Sequence, residues 1–149
     1  MNQEFLAGYL PYVLRRADQA LSAPFYQVLT RHGVQRPEWR VLAVLREYDS
    51  LSMSDLTTAA LAPQPTVSHA VARLVERGLV ERLQGIDDKR HRFVAATAAG
   101  RALAETLVAE ARSTEAGLLA GADIDDISDV LAALDAIHTR LTRSLVAHP

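Results

Sequence analysis

The spacing of apolar residues predicts helices at both ends of the chain. From residue 6 to residue 28, apolar side chains recur every three or four positions, as on one face of an α-helix: Leu6, Leu10, Val13, Leu14, Ala17, Leu21, Phe25 and Val28. Pro11 and Pro24 interrupt this series, and each predicts a late start or a kink. A second series closes the chain: Ile127, Val130, Leu131, Leu134, Ile137, Leu141 and Leu145.

Between these ends, the pattern predicts two short helices joined by a break. Ser52 precedes Asp55 by three residues, which is the spacing of a capping serine and an acid that bonds back, so a helix is expected from there to Ala60. Residues 62–65 read Ala-Pro-Gln-Pro and end it, because proline cannot continue a helix. Pro65 is expected at the first position of the next helix, where its missing N–H costs nothing.

This next helix, about residues 65–77, has one apolar face and one face of short polar residues. Val67, Val71, Leu74 and Val75 follow the spacing of a buried stripe. A solvated face usually carries more Glu and Lys than the opposite one does here. Short hydrogen-bonding residues followed by an arginine suit a helix whose first turns enter a major groove. That face consists of Pro65, Thr66, His69, Ala72, Arg73 and Glu76.

A hairpin with a basic tip is predicted directly after this helix. Gly78 ends the helix, residues 79–83 alternate as a half-buried strand, and residues 91–97 return as a second strand. The pattern therefore predicts a winged helix-turn-helix. The tip carries Lys89, Arg90 and Arg92, which suit the negative potential of a minor groove. A hairpin made basic for solubility is the alternative.

At these residues the chain resembles the MarR family (multiple antibiotic resistance regulators). The matching phrases are residues 37–45 (PEWRVLAVL), 64–68 (QPTVS), 78–82 (GLVER), 88–90 (DKR) and 97–103 (TAAGRAL). The last two resemble the family's Asp-x-Arg wing signature and its Leu-Thr-x-x-Gly helix start. Ala96 replaces the usual leucine before Thr97, which affects local packing only.

The resemblance implies a mainly α fold with a small antiparallel β-wing, as a single domain over residues 1–149. About residues 1–35 and 98–149 form dimerisation helices around a DNA-binding lobe at about 37–97, and two copies form a homodimer on double-stranded DNA. Arg90 is expected in the minor groove, held by a salt bridge from Asp88, although plain turn chemistry explains Asp88 equally well. The other expected DNA contacts are Gln64, Thr66, Ser68, His69, Arg73, Lys89 and Arg92.

Composition and charge change this picture little. Apolar residues make up 49% of the chain and charged residues 23%, and the formal net charge is −2. Residues 65–92 hold six basic and four acidic side chains, whereas residues 93–149 hold four arginines and eight acids. The basic charge therefore lies where DNA contact is predicted.

Several classes of chemistry find no support. The chain has no cysteine, which excludes thiol-based oxidant sensing and thiolate metal sites, and its five histidines lack ligand spacing. We find no glycine-rich phosphate loop, no His-Glu-x-x-His and no Gly-x-Ser-x-Gly, so no catalytic residue, metal or cofactor is expected. Without a long apolar run or a secretory signal, the expected location is the cytoplasm.

A small-molecule effector is a further expectation. Tyr9, Tyr12 and Arg16 lie on one face of the first helix, either because that helix packs on two sides or because they line a pocket for an aromatic acid. The resemblance adds Trp39 and Arg40 as pocket candidates. The predicted function is therefore a DNA-binding regulator, usually a repressor, that a small ligand releases. The alternative is a winged-helix module for protein–protein contact, against which the exposed arginines argue.

Overall fold

The computed structural model describes residues 3–85, 92–121 and 127–146. It is mainly helical with one small sheet, which confirms the predicted fold class. The chain divides into two compact units, residues 1–116 and 117–149. The helices are α1 (Gln3–Gly8), α2 (Leu10–Arg31), α3 (Arg36–Glu47), α4 (Met53–Ala59), α5 (Gln64–Glu76), α6 (Ala98–Leu119) and α7 (Ile127–Val146), and the strands are β1 (Leu51–Ser52), β2 (Val80–Gln84) and β3 (Arg92–Ala96).

The two prolines near the N-terminus have different effects. Tyr9 separates α1 from α2, and Pro11 is the second residue of α2, so the expected late start is confirmed. Proline is tolerated there because the first N–H groups of a helix have no partner within it. Pro24 instead lies inside α2, which continues to Arg31.

The helix-turn-helix consists of α4 and α5. The Ser52 hydroxyl accepts a hydrogen bond from the Asp55 N–H at 3.1 Å and donates one to Oδ2 of Asp55 at 2.7 Å, so the predicted cap is confirmed. The start of α5 differs by one residue from the prediction. Pro63 occupies the cap position and α5 begins at Gln64, so Pro65 is its second residue.

The wing is a three-stranded antiparallel sheet with the order β1-β3-β2. In the hairpin, Val80 pairs with Ala96 and Gln84 pairs with Arg92. The short strand β1 was not predicted and pairs Leu51 with Val94. The wing tip, residues 86–91, lies outside the described residues.

The core of the first unit lies where α3 packs on α5. The predicted stripe of α5 is buried at Val67, Val71 and Leu74, whereas Val75 is only partly buried. Because apolar side chains fix this face of α5 inside, the polar face must point outward. The other members of this core on the two helices are Val41, Leu42, Leu45 and Ala70.

The junction between the wing and α6 is closely packed. Thr97 accepts a hydrogen bond from the Gly100 N–H at 3.1 Å and donates one to the Gly78 carbonyl at 2.7 Å. Thr97 therefore caps the start of α6. A Cβ on Gly100 would overlap the carbonyl oxygen of Leu79, so the start of α6 requires glycine.

Two helical faces leave apolar side chains exposed. On α2 only the end of the predicted stripe is buried, at Phe25 and Val28, while Leu10 and Leu14 are exposed. On α7, Leu131 is 59% exposed and Leu141 is 58% exposed. Faces of this kind are typical of helices that pack against another chain. No helix in the described part of the chain is long and apolar enough to cross a membrane.

Candidate nucleic-acid interface

The outer face of α5 presents polar side chains to solvent. Gln64 and His69 are exposed, and Thr66, Ser68 and Arg73 are partly buried. These five residues, predicted from the sequence as DNA contacts, therefore all lie on the accessible part of one helix. Short hydrogen-bonding side chains in the first turns of an accessible helix can reach base edges in a major groove.

One of the cations predicted for the wing lies within the described residues. Arg92 is exposed at the start of β3, opposite Gln84 on β2. Three further predicted wing residues, Asp88, Lys89 and Arg90, fall within residues 86–91, outside the described residues. Strand β2 begins next to the C-terminal end of α5, because only three residues separate α5 from β2.

A buried carboxylate joins α3 to α5. Glu38 is 1% exposed, and its Oε1 lies 2.8 Å from Nε of Arg73. Its Oε2 accepts from Nη1 of Arg77 at 3.3 Å and from the Gln35 N–H at 2.9 Å. Arg77 also donates to the Gly33 carbonyl at 3.0 Å. We call Glu38, Arg73 and Arg77 the Glu38 cluster.

This cluster was not predicted from the sequence. Glu38 lies in the first turn of α3, where an acid is normally expected to face solvent. The one available signal was its position three residues after Gln35, which is the spacing of an acid that bonds back to the start of its helix. A buried carboxylate needs charged donors, and Arg73 of α5 and Arg77, the residue directly after α5, supply them.

The residues predicted for an effector pocket do not come together. Tyr9 stacks on Phe5, with ring centroids 5.1 Å apart, and is 46% exposed. Tyr12 and Arg16 are also exposed on α2. Trp39 lies farther along the first unit, where its ring meets Phe25 edge-on at 5.1 Å.

Trp39 does line a groove of about 340 Å³ in the first unit. Both apolar and charged side chains line the groove, which suits a small amphipathic ligand. None of Tyr9, Tyr12, Arg16 and Arg40 lines it. Its lining residues are Leu21, Ser22, Phe25, Trp39, Ala43, Arg46, Glu47, Val108, Ala111, Arg112, Thr114 and Glu115.

One of the two arginines of this groove is held by acids. Arg46 donates from Nε and Nη2 to Glu105, at 2.7 and 3.2 Å, and from Nη1 to Glu47 at 2.7 Å. The hydrogen bond and charge of Glu105 raise the pKa of the Arg46 guanidinium above its ordinary value, and those of Glu47 add to this effect. No hydrogen bond or ion pair links Arg112 to another described side chain, so Arg112 is the arginine that an anionic ligand can engage.

Arg40 lies on a different side of α3 from Trp39. Its Nη1 donates to the Leu61 carbonyl, in the turn before α5, at 3.3 Å. It borders a second, polar groove of about 390 Å³ between α2 and α3. There, Cζ of Arg36 lies 3.7 Å from the centroid of the Tyr26 ring, a cation–π arrangement. Among the described residues, no group of three or more histidines or acids is placed to hold a metal ion.

Comparison with known proteins identifies relatives of this chain. A family model described as MarR family matches residues 32–91. The homoprotocatechuate degradative operon repressor of Escherichia coli is 32% identical over 105 residues, which cover 68% of this chain and 71% of that protein.

Two solved structures are similar over nearly the whole chain. A MarR family transcriptional regulator from Silicibacter pomeroyi DSS-3 is 40% identical, with a TM-score of 0.76 over 89% of this chain and 97% of that one. The Bordetella bronchiseptica protein BpsR, whose DNA binding is regulated by 6-hydroxynicotinic acid, is 27% identical, with a TM-score of 0.76 over 87% of this chain and 98% of that one.

Proposed function

This chain belongs to the MarR family of transcriptional regulators, and from that premise we propose that it represses transcription by binding a specific operator as a homodimer. The observation that carries the proposal is the exposed polar face of α5, which lies opposite the buried apolar face of this helix and is followed in the chain by the β2–β3 hairpin of the wing. This is the arrangement in which a recognition helix enters a major groove.

We assign the DNA contacts as follows. Gln64, Thr66, Ser68, His69 and Arg73 meet the major groove, where arginine can pair with guanine and short polar side chains with either base pair. At the wing, Arg90 enters the minor groove with support from Asp88, flanked by Lys89 and Arg92.

The exposed apolar faces of α2 and α7 support the homodimer. A two-fold axis relates the two recognition helices, which then occupy successive major grooves roughly 34 Å apart. The operator is therefore a pseudo-palindrome. On this proposal residues 1–149 act as a single MarR-like domain, in which residues 1–35 and 98–149 form the dimer and residues 37–97 bind DNA.

The groove beside Trp39 is the proposed effector site. Its Phe25 and Trp39 rings suit an aromatic ligand, and Arg112 suits a carboxylate. The regulation of BpsR by 6-hydroxynicotinic acid supports an aromatic acid as the ligand class. Such a ligand releases DNA only to the extent that it prefers the DNA-incompetent arrangement of the two lobes.

A regulator of this kind works on the chromosome, so we propose a cytoplasmic location. We assign the chain no catalytic role, because its family consists of transcriptional regulators. The name of the Escherichia coli relative, a repressor of a degradative operon, supports repression over activation.

Fluorescence anisotropy on the DNA upstream of the chain's own gene tests the proposal. We expect saturable binding that random DNA competes for poorly, and a loss of about 1–3 kcal/mol in Arg90→Ala. Arg31→Ala is the control, because Arg31 pairs with Glu110 at the end of α2 and is not a proposed contact. Weak binding that ignores sequence and is equal in all three proteins would reject the proposal in favour of a protein-contact module.

A further inference from the structure

We propose that Glu38 is a positioning residue for operator recognition, which fixes Arg73 on α5 so that sequence discrimination depends on Glu38. The inference rests on the proposed function and adds to it a residue that does not itself touch DNA. Glu38 is too deeply buried for such contact, with 1% of its surface exposed.

The geometry supports an indirect role. Arginine carries five N–H donors in one rigid plane. Glu38 takes the Nε donor of Arg73, while 41% of the Arg73 side chain remains exposed on the outer face of α5. The Nε side of the Arg73 guanidinium is therefore held by Glu38 of α3. This contact orients the plane of the guanidinium before DNA binds.

A fixed plane matters for reading bases but little for attracting phosphates. Bidentate pairing of arginine with guanine requires both donors to lie in the plane of the base edge. A phosphate accepts from many directions, and the attraction depends mainly on net charge. Preorganisation of Arg73 thus contributes to the preference for the operator over other DNA.

Glu38 is expected to increase the preference for the operator, but its negative charge lowers the affinity for DNA of any sequence. Its carboxylate offsets part of the positive charge of Arg73 and Arg77. When this negative charge is removed, the attraction of this end of α5 for any phosphate backbone rises. The two effects therefore have opposite signs, which a general loss of folding would not produce.

The test compares operator DNA with a shuffled sequence of the same length, using the full chain at several salt concentrations. In Glu38→Gln, which keeps the size of the side chain, we expect the ratio of operator to shuffled affinity to fall by about tenfold. Affinity for shuffled DNA should stay constant or increase. Circular dichroism reports the folded fraction of each variant.

Four further variants sharpen the test. Arg73→Ala should lower the ratio by a similar factor, and Glu38→Gln combined with Arg73→Ala should lower it no further, because Glu38 acts through Arg73. Arg77→Ala leaves the bond between Glu38 and Arg73 in place and should keep the ratio. Glu110→Gln is the matched control, since this acid pairs with Arg31 and His32 away from α5.

Each contrary result is distinguishable. An unchanged ratio in Glu38→Gln, an additive double variant, or a parallel loss of both affinities would overturn the positioning role while leaving the regulator proposal intact. If the unmodified protein itself does not discriminate between the two DNAs, the proposed function fails, and the role of Glu38 fails with it.

Discussion

Glu38 and Arg73 are 35 positions apart in the sequence, yet Oε1 of Glu38 lies 2.8 Å from Nε of Arg73. The contact connects the helix that lines the Trp39 groove with the helix that carries the proposed base contacts. Since Arg77 and the Gln35 N–H share the second carboxylate oxygen, both oxygens of this buried acid have partners. A buried carboxylate with its acceptors occupied is stable only while those donors remain.

Removal of Arg77 should therefore destabilise the protein. Arg77→Ala takes one donor from Glu38 and one from the Gly33 carbonyl. We expect the free energy of unfolding to fall by about 1–3 kcal/mol in a urea titration. Arg82→Ala, an exposed arginine on β2, should change it by less than about 0.5 kcal/mol. Equal stabilities of the two variants would show that the Arg77 contacts contribute nothing.

Gly100 should not tolerate even a methyl group. Because a Cβ there would overlap the Leu79 carbonyl, Gly100→Ala must push α6 away from the turn after α5, at an expected cost of about 1–3 kcal/mol. The control is Gly117→Ala on the same helix, where nothing lies within 4 Å of the added atom. That change should stabilise the protein by about 0.5–1 kcal/mol. Thermal unfolding of both variants checks the opposite signs, and a neutral Gly100→Ala would contradict the packing.

Charges on the apolar face of α7 should break the proposed dimer. Leu131→Asp and Leu141→Asp each place a carboxylate where an apolar contact is proposed, so the mass in solution should fall to that of one chain. Light scattering after size-exclusion chromatography measures it. Ala136→Asp introduces the same charge on the opposite face of α7 and should leave the mass unchanged. A dimer that survives both leucine substitutions would mean that α7 is not the interface.

Trp39 offers a direct assay for the effector groove, because it is the only tryptophan in the chain. A ligand that binds beside it should change the fluorescence saturably, and 6-hydroxynicotinic acid is a suitable first probe. Arg112→Ala should weaken binding by roughly tenfold if that arginine pairs with the carboxylate. Arg16→Ala, on an exposed part of α2, serves as the comparison. A larger effect at Arg16 than at Arg112 would favour the pocket wall predicted from the sequence.

Local signals predicted most of the fold. The Ser52 cap, the late start of α2 and the stripe of α5 each depend on residues within one or two helical turns. Strand β1 was not predicted, because two residues are too few to show an alternation of apolar and polar side chains. The strand is defined by its pairing with β3. The start of α5 was misplaced by one residue because two prolines stood near it, and either of them suits a helix start.

The candidate site was less accessible from sequence, since it depends on contacts between distant segments. Arg73 was predicted on the outer face of α5, but nothing near it in the chain indicated a partner on α3. Trp39 and Arg40 were grouped because the family resemblance implies that their helix borders an effector cavity. Successive helix residues point about 100° apart, and the two side chains accordingly border different grooves.

The adjacency of Glu38 and Trp39 has a thermodynamic consequence. Glu38, which contacts Arg73 of α5, and Trp39, which lines the groove, are consecutive residues of α3. A tilt of α3 would therefore move both residues. If an effector beside Trp39 lowers affinity for the operator by a given factor, the operator must lower affinity for that effector by the same factor. The protein bound at a fully occupied operator is then less responsive to the effector. The amount of operator DNA in the cell therefore contributes to the effector concentration that is needed for release.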